Sequence, residues 1–294
     1  MSLFSLSILF SLGSAFFGAL TSLLARQIMS VVSTRDFLTI NFSLLFITLL
    51  PFAPFGFQIS WNVKTILLIA LAATIDTLGN YLFFKSFELT NAVAASTLIG
   101  LSPMFTLLLA PILSPHDTKL QFLQILGVII IVGGITLLRQ HFSIPVNPVT
   151  ASVKEQQKWI IFPILTALVF GANIYLIKYL LDHQYTNPYS YYLIRVLFIA
   201  LVTHFTLKPN YKWVTSKNIR TTWWRALCVL IQWMLLLHAL TIGNPAIVKA
   251  IADSSPLFVI VIAVLLYKEK LSRNTIAGSV LITSGIFMIG LYSQ

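Results

Sequence analysis

The chain has 294 residues, of which 57% are hydrophobic and only 9% charged, and it carries a formal net charge of +11. Ordinary soluble domains carry about 25% charged residues, so most of this chain lacks a water-facing side, and no soluble stretch is long enough to present a folded basic surface to nucleic acid. A single cysteine, Cys228, lies within an apolar run and excludes disulfides and cysteine metal sites inside one chain.

A helix that crosses the hydrocarbon core needs about 20 mostly apolar residues, with its backbone polar groups satisfied internally. Ten such spans are predicted, over 4–26, 35–55, 64–84, 91–113, 119–138, 158–180, 187–206, 220–241, 245–267 and 272–291, joined by short segments rich in Pro, Asn, Ser and Lys. The first span lacks a basic leader and is long for a signal peptide, so it reads as a transmembrane helix. Asn41 lies in the second span, and the third has Asp76 at its middle, Asn80 one turn later and Tyr81 beside it. The fourth carries Ser96 and Pro103. Between the fifth and sixth spans runs the one linker-like stretch, 139–158, with Pro145, Asn147 and Pro148. The sixth span contributes Asn173 and Tyr175, the seventh Arg195 and His204, the eighth Gln232, Trp233 and His238, and the ninth Lys249, Asp253 and Pro256.

The linker falls near the chain's midpoint, and the flanking halves repeat. The stretch Asn91–Pro103 lies over Asn244–Pro256 at a constant offset of 153 (91 to 244, 103 to 256), and the same offset pairs Phe17-Gly18-Ala19 with Phe170-Gly171-Ala172. After a two-residue slip, Gly127 meets Gly278 and Gly134 meets Gly285. Five spans per half is an odd number, so the second half must enter the membrane from the opposite face. The expected fold is all-α and integral to the membrane: ten helices arranged as two inverted repeats, 1–140 and 158–294, joined by a loop at 141–157. Substrate sites in such repeats lie near the midplane between the halves.

Charges deep in a bilayer cost at least about 2.5–3.5 kcal/mol each on insertion scales and mark function by default. Asp76, Lys249 and Asp253 stand out. Lys249 and Asp253 are four residues apart on one helix face, close enough to pair. The offset of 153 sets Ser96 against Lys249, Gly100 against Asp253 and Val229 against Asp76, so the charges occur in one copy only. The scaffold does not require them, which favours a substrate or coupling role. The competing reading is an ion pair that locks helices together. Pro103 and Pro256 occur in both copies, so they suit a kink or hinge that serves the whole fold, each removing a helical hydrogen bond. Asn80, Tyr81, Asn173, Tyr175, Gln232 and Trp233 are candidates to complete a cavity. The two aromatics Tyr81 and Trp233 suit flat walls or cation–π contacts, although most aromatics in such a chain pack between helices or face lipid. Histidine is the side chain suited to proton exchange at physiological pH; of His204 and His238, His238 joins Asp76 and Asp253 as a candidate for a coupling proton.

The glycine-rich first span of the second half (Phe170-Gly171-Ala172-Asn173), Ser102-Pro103 and Ser255-Pro256 in the fourth spans, Glu269-Lys270-Leu271-Ser272 and the following Gly278 and Gly285 together resemble the drug/metabolite transporter superfamily, EamA type. The likeness covers essentially the whole chain, twice. Where a second Glu-x-Leu-Ser element belongs, the first half has His116-Asp117-Thr118-Lys119-Leu120. The resemblance implies a ten-helix secondary transporter whose central cavity alternates between the two membrane faces, and it implies no particular substrate. It also marks Arg195, since relatives often carry an arginine in the seventh span.

Two carboxylates, an ammonium and nearby amides suit a zwitterion. The expected activity is therefore secondary transport of a small polar metabolite, an amino acid or another amino-containing molecule, with Asp76 or Asp253 facing the amine, Lys249 the carboxylate, and protons as a candidate coupling ion. The alternative is a multidrug or quaternary-ammonium transporter, for which the aromatic lining matters more than Lys249. An enzyme is not expected, because the chain has no phosphate loop, nucleophile motif or metal-spaced cluster, and no cofactor is implied. The expected location is the cell membrane, the inner membrane if the source is bacterial. Lys and Arg concentrate in the loops after odd-numbered spans, so the positive-inside rule puts both chain ends outside the cytoplasm, whereas bacterial relatives usually have the reverse orientation.

Overall fold

The computed structural model describes residues 3–113, 122–140, 159–265 and 272–291. Twelve helices of eight residues or more carry the architecture: α1 (Leu3–Met29), α2 (Thr34–Leu49), α3 (Val63–Leu89), α4 (Ala92–Ile99), α5 (Ser102–Leu113), α6 (Phe122–Gln140), α7 (Ile161–Asp182), α8 (Pro188–Leu207), α9 (Ser216–Ile242), α10 (Pro245–Ala252), α11 (Ser255–Leu265) and α12 (Arg273–Leu291). Among the described residues the only β pairing is an isolated bridge between Ile59 and Thr186. Among the described residues seven helical stretches are long and apolar enough to cross a membrane, including Ala92–Leu109, which contains an interruption. The other three expected spans fall on α6, on α10 with α11, and on α12. The linker 141–157, His116–Leu120 and Glu269–Leu271 lie outside the described residues.

Short polar side chains start the helices where orphan N–H groups would otherwise face an apolar medium. Ser33, Asn62, Asn91, Asn187 and Thr215 each accept a hydrogen bond from the backbone N–H three residues on. Proline follows the Asn187 cap at the first helical position, where its missing N–H costs nothing.

Polar side chains are buried within the hydrophobic core, and large apolar side chains also cover the outside. Ser11, Ser14, Thr21, Asn41, Thr97, Asn173 and Thr203 are buried, while Leu9, Phe16, Ile47, Leu67, Phe205 and Trp224 point outward. Buried hydroxyls on α1, α3 and α5 bond carbonyls one turn back, as Ser11 does to Ser7 and Ser86 to Leu82, so they need no water.

The offset that aligns the halves also organises their packing. Helix α1 packs on α9, α10 and α11; α7, its counterpart, packs on α3, α4 and α5. Helices α2 and α8 pack on each other, as do α6 and α12. At the last contact, a Cβ on Gly134 would lie 2.8 Å from the carbonyl oxygen of Gly278, and one on Gly285 would lie 2.6 Å from that of Gly127. Likewise Gly171 leaves 2.6 Å to the carbonyl of Ser102, while Gly18 approaches the Cβ of Ser255 at 3.5 Å. These glycines are small because a neighbouring helix occupies the space a side chain would need.

The kinks expected at Pro103 and Pro256 are complete breaks in the helices. Helix α4 stops at Ile99 and α5 restarts at Ser102; α10 stops at Ala252 and α11 restarts at Ser255. Each proline lacks the N–H that would continue the ladder, and single turns bridge the gaps: Leu101 N–H to Leu98 O at 3.2 Å, and Ser254 N–H to Ile251 O at 3.2 Å.

Candidate functional site

The two breaks meet in the middle of the bundle, where a Cβ on Gly100 would lie 3.0 Å from the carbonyl oxygen of Asp253. Beside this crossing is a cavity of about 90 Å³, lined by residues from α1 to α4, α7 to α11 and both breaks. Of the residues expected to build a site, Asp76, Asn80, Asn173, Gln232, Trp233, Lys249 and Asp253 line it, together with Asn41, Ser96 and Arg195. Three do not. Tyr81 packs against the main hydrophobic cluster, and Tyr175 donates its hydroxyl to Thr106 O at 2.9 Å. His238 is exposed, with Nδ1 2.7 Å from Met234 O and its ring edge-on to Phe10.

Asp76 comes from the middle of α3 and is 1% exposed. Its Oδ2 accepts from Arg195 Nε at 2.5 Å and from the Tyr191 hydroxyl at 3.1 Å, both on α8. Arg195 is equally buried and lies flat against Trp233, with its guanidinium carbon 3.9 Å from the ring centroid. The pair thus joins α3, α8 and α9. Lys249 donates to Asp253 Oδ1 at 2.8 Å, as their spacing anticipates. Arg195 and Lys249 are therefore each paired with a carboxylate.

Sequence reasoning overlooked Arg225. It lies in the first turns of the eighth predicted span, where a basic residue reads as interfacial, yet it is 3% exposed and reaches the cavity. Its Nη1 donates to Asn41 Oδ1 at 2.6 Å, and its guanidinium carbon is 4.6 Å from the ring centroid of Phe84 and 5.8 Å from that of Phe37. The available signal was an arginine inside an apolar run with no acid three or four residues away.

Several buried polar atoms of the cavity wall have no partner within the protein. Donors among them are Asn41 Nδ2, Arg195 Nη1 and Nη2, and Arg225 Nε; acceptors are Asp76 Oδ1, Asn173 Oδ1 and Asp253 Oδ2. Arg195 also lies over the Tyr192 ring, its guanidinium carbon 5.4 Å from the centroid. Asp76 receives the Tyr191 hydroxyl on its other oxygen, and Asp253 sits at the second helix break. Unsatisfied buried groups are rare in proteins, and a run of them on one wall marks where water or a ligand completes the bonding. Among the described residues no cluster of His, Cys, Asp and Glu is arranged to hold a metal.

An all-helical bundle with lipid-facing apolar sides and a charged central cavity between interrupted helices defines a multi-pass membrane protein that handles a small molecule. The model of the EamA-like transporter family matches the chain twice, over residues 5–140 and 157–291. The chain belongs to that family, whose members are membrane transporters of small molecules. No curated protein matches it in sequence. A solved structure described only as "Crystal structure of protein" superposes with a TM-score of 0.71 over 99% of this chain and 98% of its own, at 12% identity. At that identity the likeness speaks for the fold alone.

Proposed function

We propose that the chain is a secondary active transporter of ten spans in two inverted halves, 1–140 and 158–294, and that it carries an amino acid or a related amino-containing zwitterion by alternating access. Support for the inversion comes from reciprocal packing: Gly134 against Gly278 and Gly285 against Gly127 are the contacts a two-fold relation generates. The breaks beside Pro103 and Pro256 supply flexible points at the site, as discontinuous helices do in transporters of inverted-repeat design.

The observation that supports the substrate reading is that orphan donors and orphan acceptors belong to residues lining one cavity. A carboxylate fits the donors on Asn41, Arg195 and Arg225. An ammonium group fits the acceptors on Asp76, Asn173 and Asp253. This replaces Lys249 as the carboxylate's partner, because Lys249 already serves Asp253. A quaternary-ammonium substrate is less well served, since Arg195 occupies the face of Trp233 that such a cation would need.

The test is a thermal-stabilisation screen of the purified protein against amino acids, polyamines, nucleosides and quaternary amines. Stabilisation by amino acids that Asp253→Asn weakens is the expected outcome. Stabilisation by quaternary amines alone sinks the reading.

A further inference from the structure

Five charged side chains line the cavity: Asp76, Arg195, Arg225, Lys249 and Asp253. Two ion pairs account for four of them, Arg195 with Asp76 and Lys249 with Asp253. Arg225 is left over. Among the described residues no carboxylate pairs with it, and the partner of its Nη1 is the neutral amide of Asn41. Its Nε is buried with no acceptor. The phenyl rings of Phe84 and Phe37 attract the guanidinium but cannot cancel its charge.

A lone buried cation is expensive unless a counter-charge reaches it. Three cations against two carboxylates leave the wall with one uncompensated positive charge, and a neutral zwitterion leaves it unchanged. We infer that the cavity takes a substrate bearing one net negative charge, with a carboxylate seated on Arg225 and Asn41. This inference rests on the transport reading and narrows it: the amino-containing substrate is an amino-dicarboxylate, not a neutral amino acid. One carboxylate lies on Arg225 Nε and Asn41 Nδ2, and the amine lies against Asp76 Oδ1 and Asn173 Oδ1. The second carboxylate takes the free Nη1 and Nη2 fork of Arg195, a geometry suited to two parallel hydrogen bonds.

Glutamate and glutamine are nearly isosteric and differ by the charge in question. In purified protein held in lipid nanodiscs, binding of L-glutamate, L-glutamine and glutarate is read by thermal stabilisation. Wild type should bind glutamate at least about 10-fold more tightly than glutamine, a difference of about 1.4 kcal/mol. Arg225→Gln should reduce that ratio to about one, and Arg225→Lys should keep part of it. If Arg225→Gln does not fold, Asn41→Ala, which strips the guanidinium of its partner amide, should reduce the ratio at least threefold. Equal binding of glutamate and glutamine by wild type overturns the inference and leaves the zwitterion reading standing, as does a ratio that these substitutions do not change. Arg225-dependent binding of glutarate without binding of either amino acid keeps the anion site and rejects the amino-containing substrate. No shift with any of the three probes overturns the anion site.

Discussion

Gly100 and Asp253 occupy matching positions in the two halves of the chain, and in the folded protein they lie side by side: a Cβ on Gly100 would stand 3.0 Å from the Asp253 carbonyl oxygen, closer than ordinary contact. In the proposed inverted arrangement, equivalent residues meet at the two-fold axis, which would put the crossing of the two broken helices at its centre. The charge that distinguishes the second copy is placed at that centre, beside the cavity.

Gly100→Ala is therefore expected to cost about 1–3 kcal/mol, the range for overpacking a well-filled site. Its Cβ would meet Asp253 O at 3.0 Å, Thr97 O at 3.2 Å and Ser96 O at 3.3 Å, all backbone atoms that cannot swing away. Thermal unfolding in detergent measures the loss, and an unchanged midpoint would show that the crossing is looser than drawn.

Gly285→Ala and Gly134→Ala should each separate α6 from α12, with a similar cost, because each new methyl lies 2.6–2.8 Å from a carbonyl oxygen of the facing helix. Gly133→Ala is the control. Nothing lies within 4 Å of its Cβ, and the substitution should leave stability level or slightly raised.

Asp76→Asn leaves Arg195 charged and buried, and breaking such a pair typically costs about 3–5 kcal/mol. The double variant Asp76→Asn, Arg195→Gln should recover part of that loss, since the uncompensated charge is gone. A double variant no more stable than Asp76→Asn would show that the pair is not what ties α3 to α8.

Asp253→Asn keeps the shape of the cavity but removes the partner of Lys249 and a group able to carry a proton. Uptake by proteoliposomes should be abolished, or should continue without its dependence on a pH gradient. Wild-type flux with intact gradient dependence would remove Asp253 from the coupling role.

The charge pattern makes a prediction about orientation. Arg35, Lys208, Lys212, Lys217, Arg220 and Arg273 lie by position at one end of the bundle, where Arg35 donates to the carbonyls of Leu207 and Lys208. Lys64 lies at the opposite end with Tyr179 and Tyr185. The positive-inside rule makes the basic end cytoplasmic, so a reporter fused after Gln294 should be active only outside the cytoplasm.

Apolar runs of membrane-spanning length, the caps between them and the offset of 153 determined by themselves how many helices to expect and where glycine and proline interrupt or narrow them. Those features are local: period, length and missing N–H groups act within a few residues. The link between Lys249 and Asp253 was legible for the same reason, because four residues along a helix bring side chains together. The tertiary structure alone decided the rest. Asp76 and Arg195 are 119 residues apart, and no helical period relates them. Tyr175 and His238 had the right chemistry at plausible depths, but helix rotation set one against Thr106 and turned the other outward. Arg225 lies in the first turns of its span, and it lines the cavity because α2 and α3 close over it with aromatic rings and supply an amide in place of a carboxylate. Which charges are cancelled and which remain is a property of packing, and here packing leaves one positive charge facing the cavity.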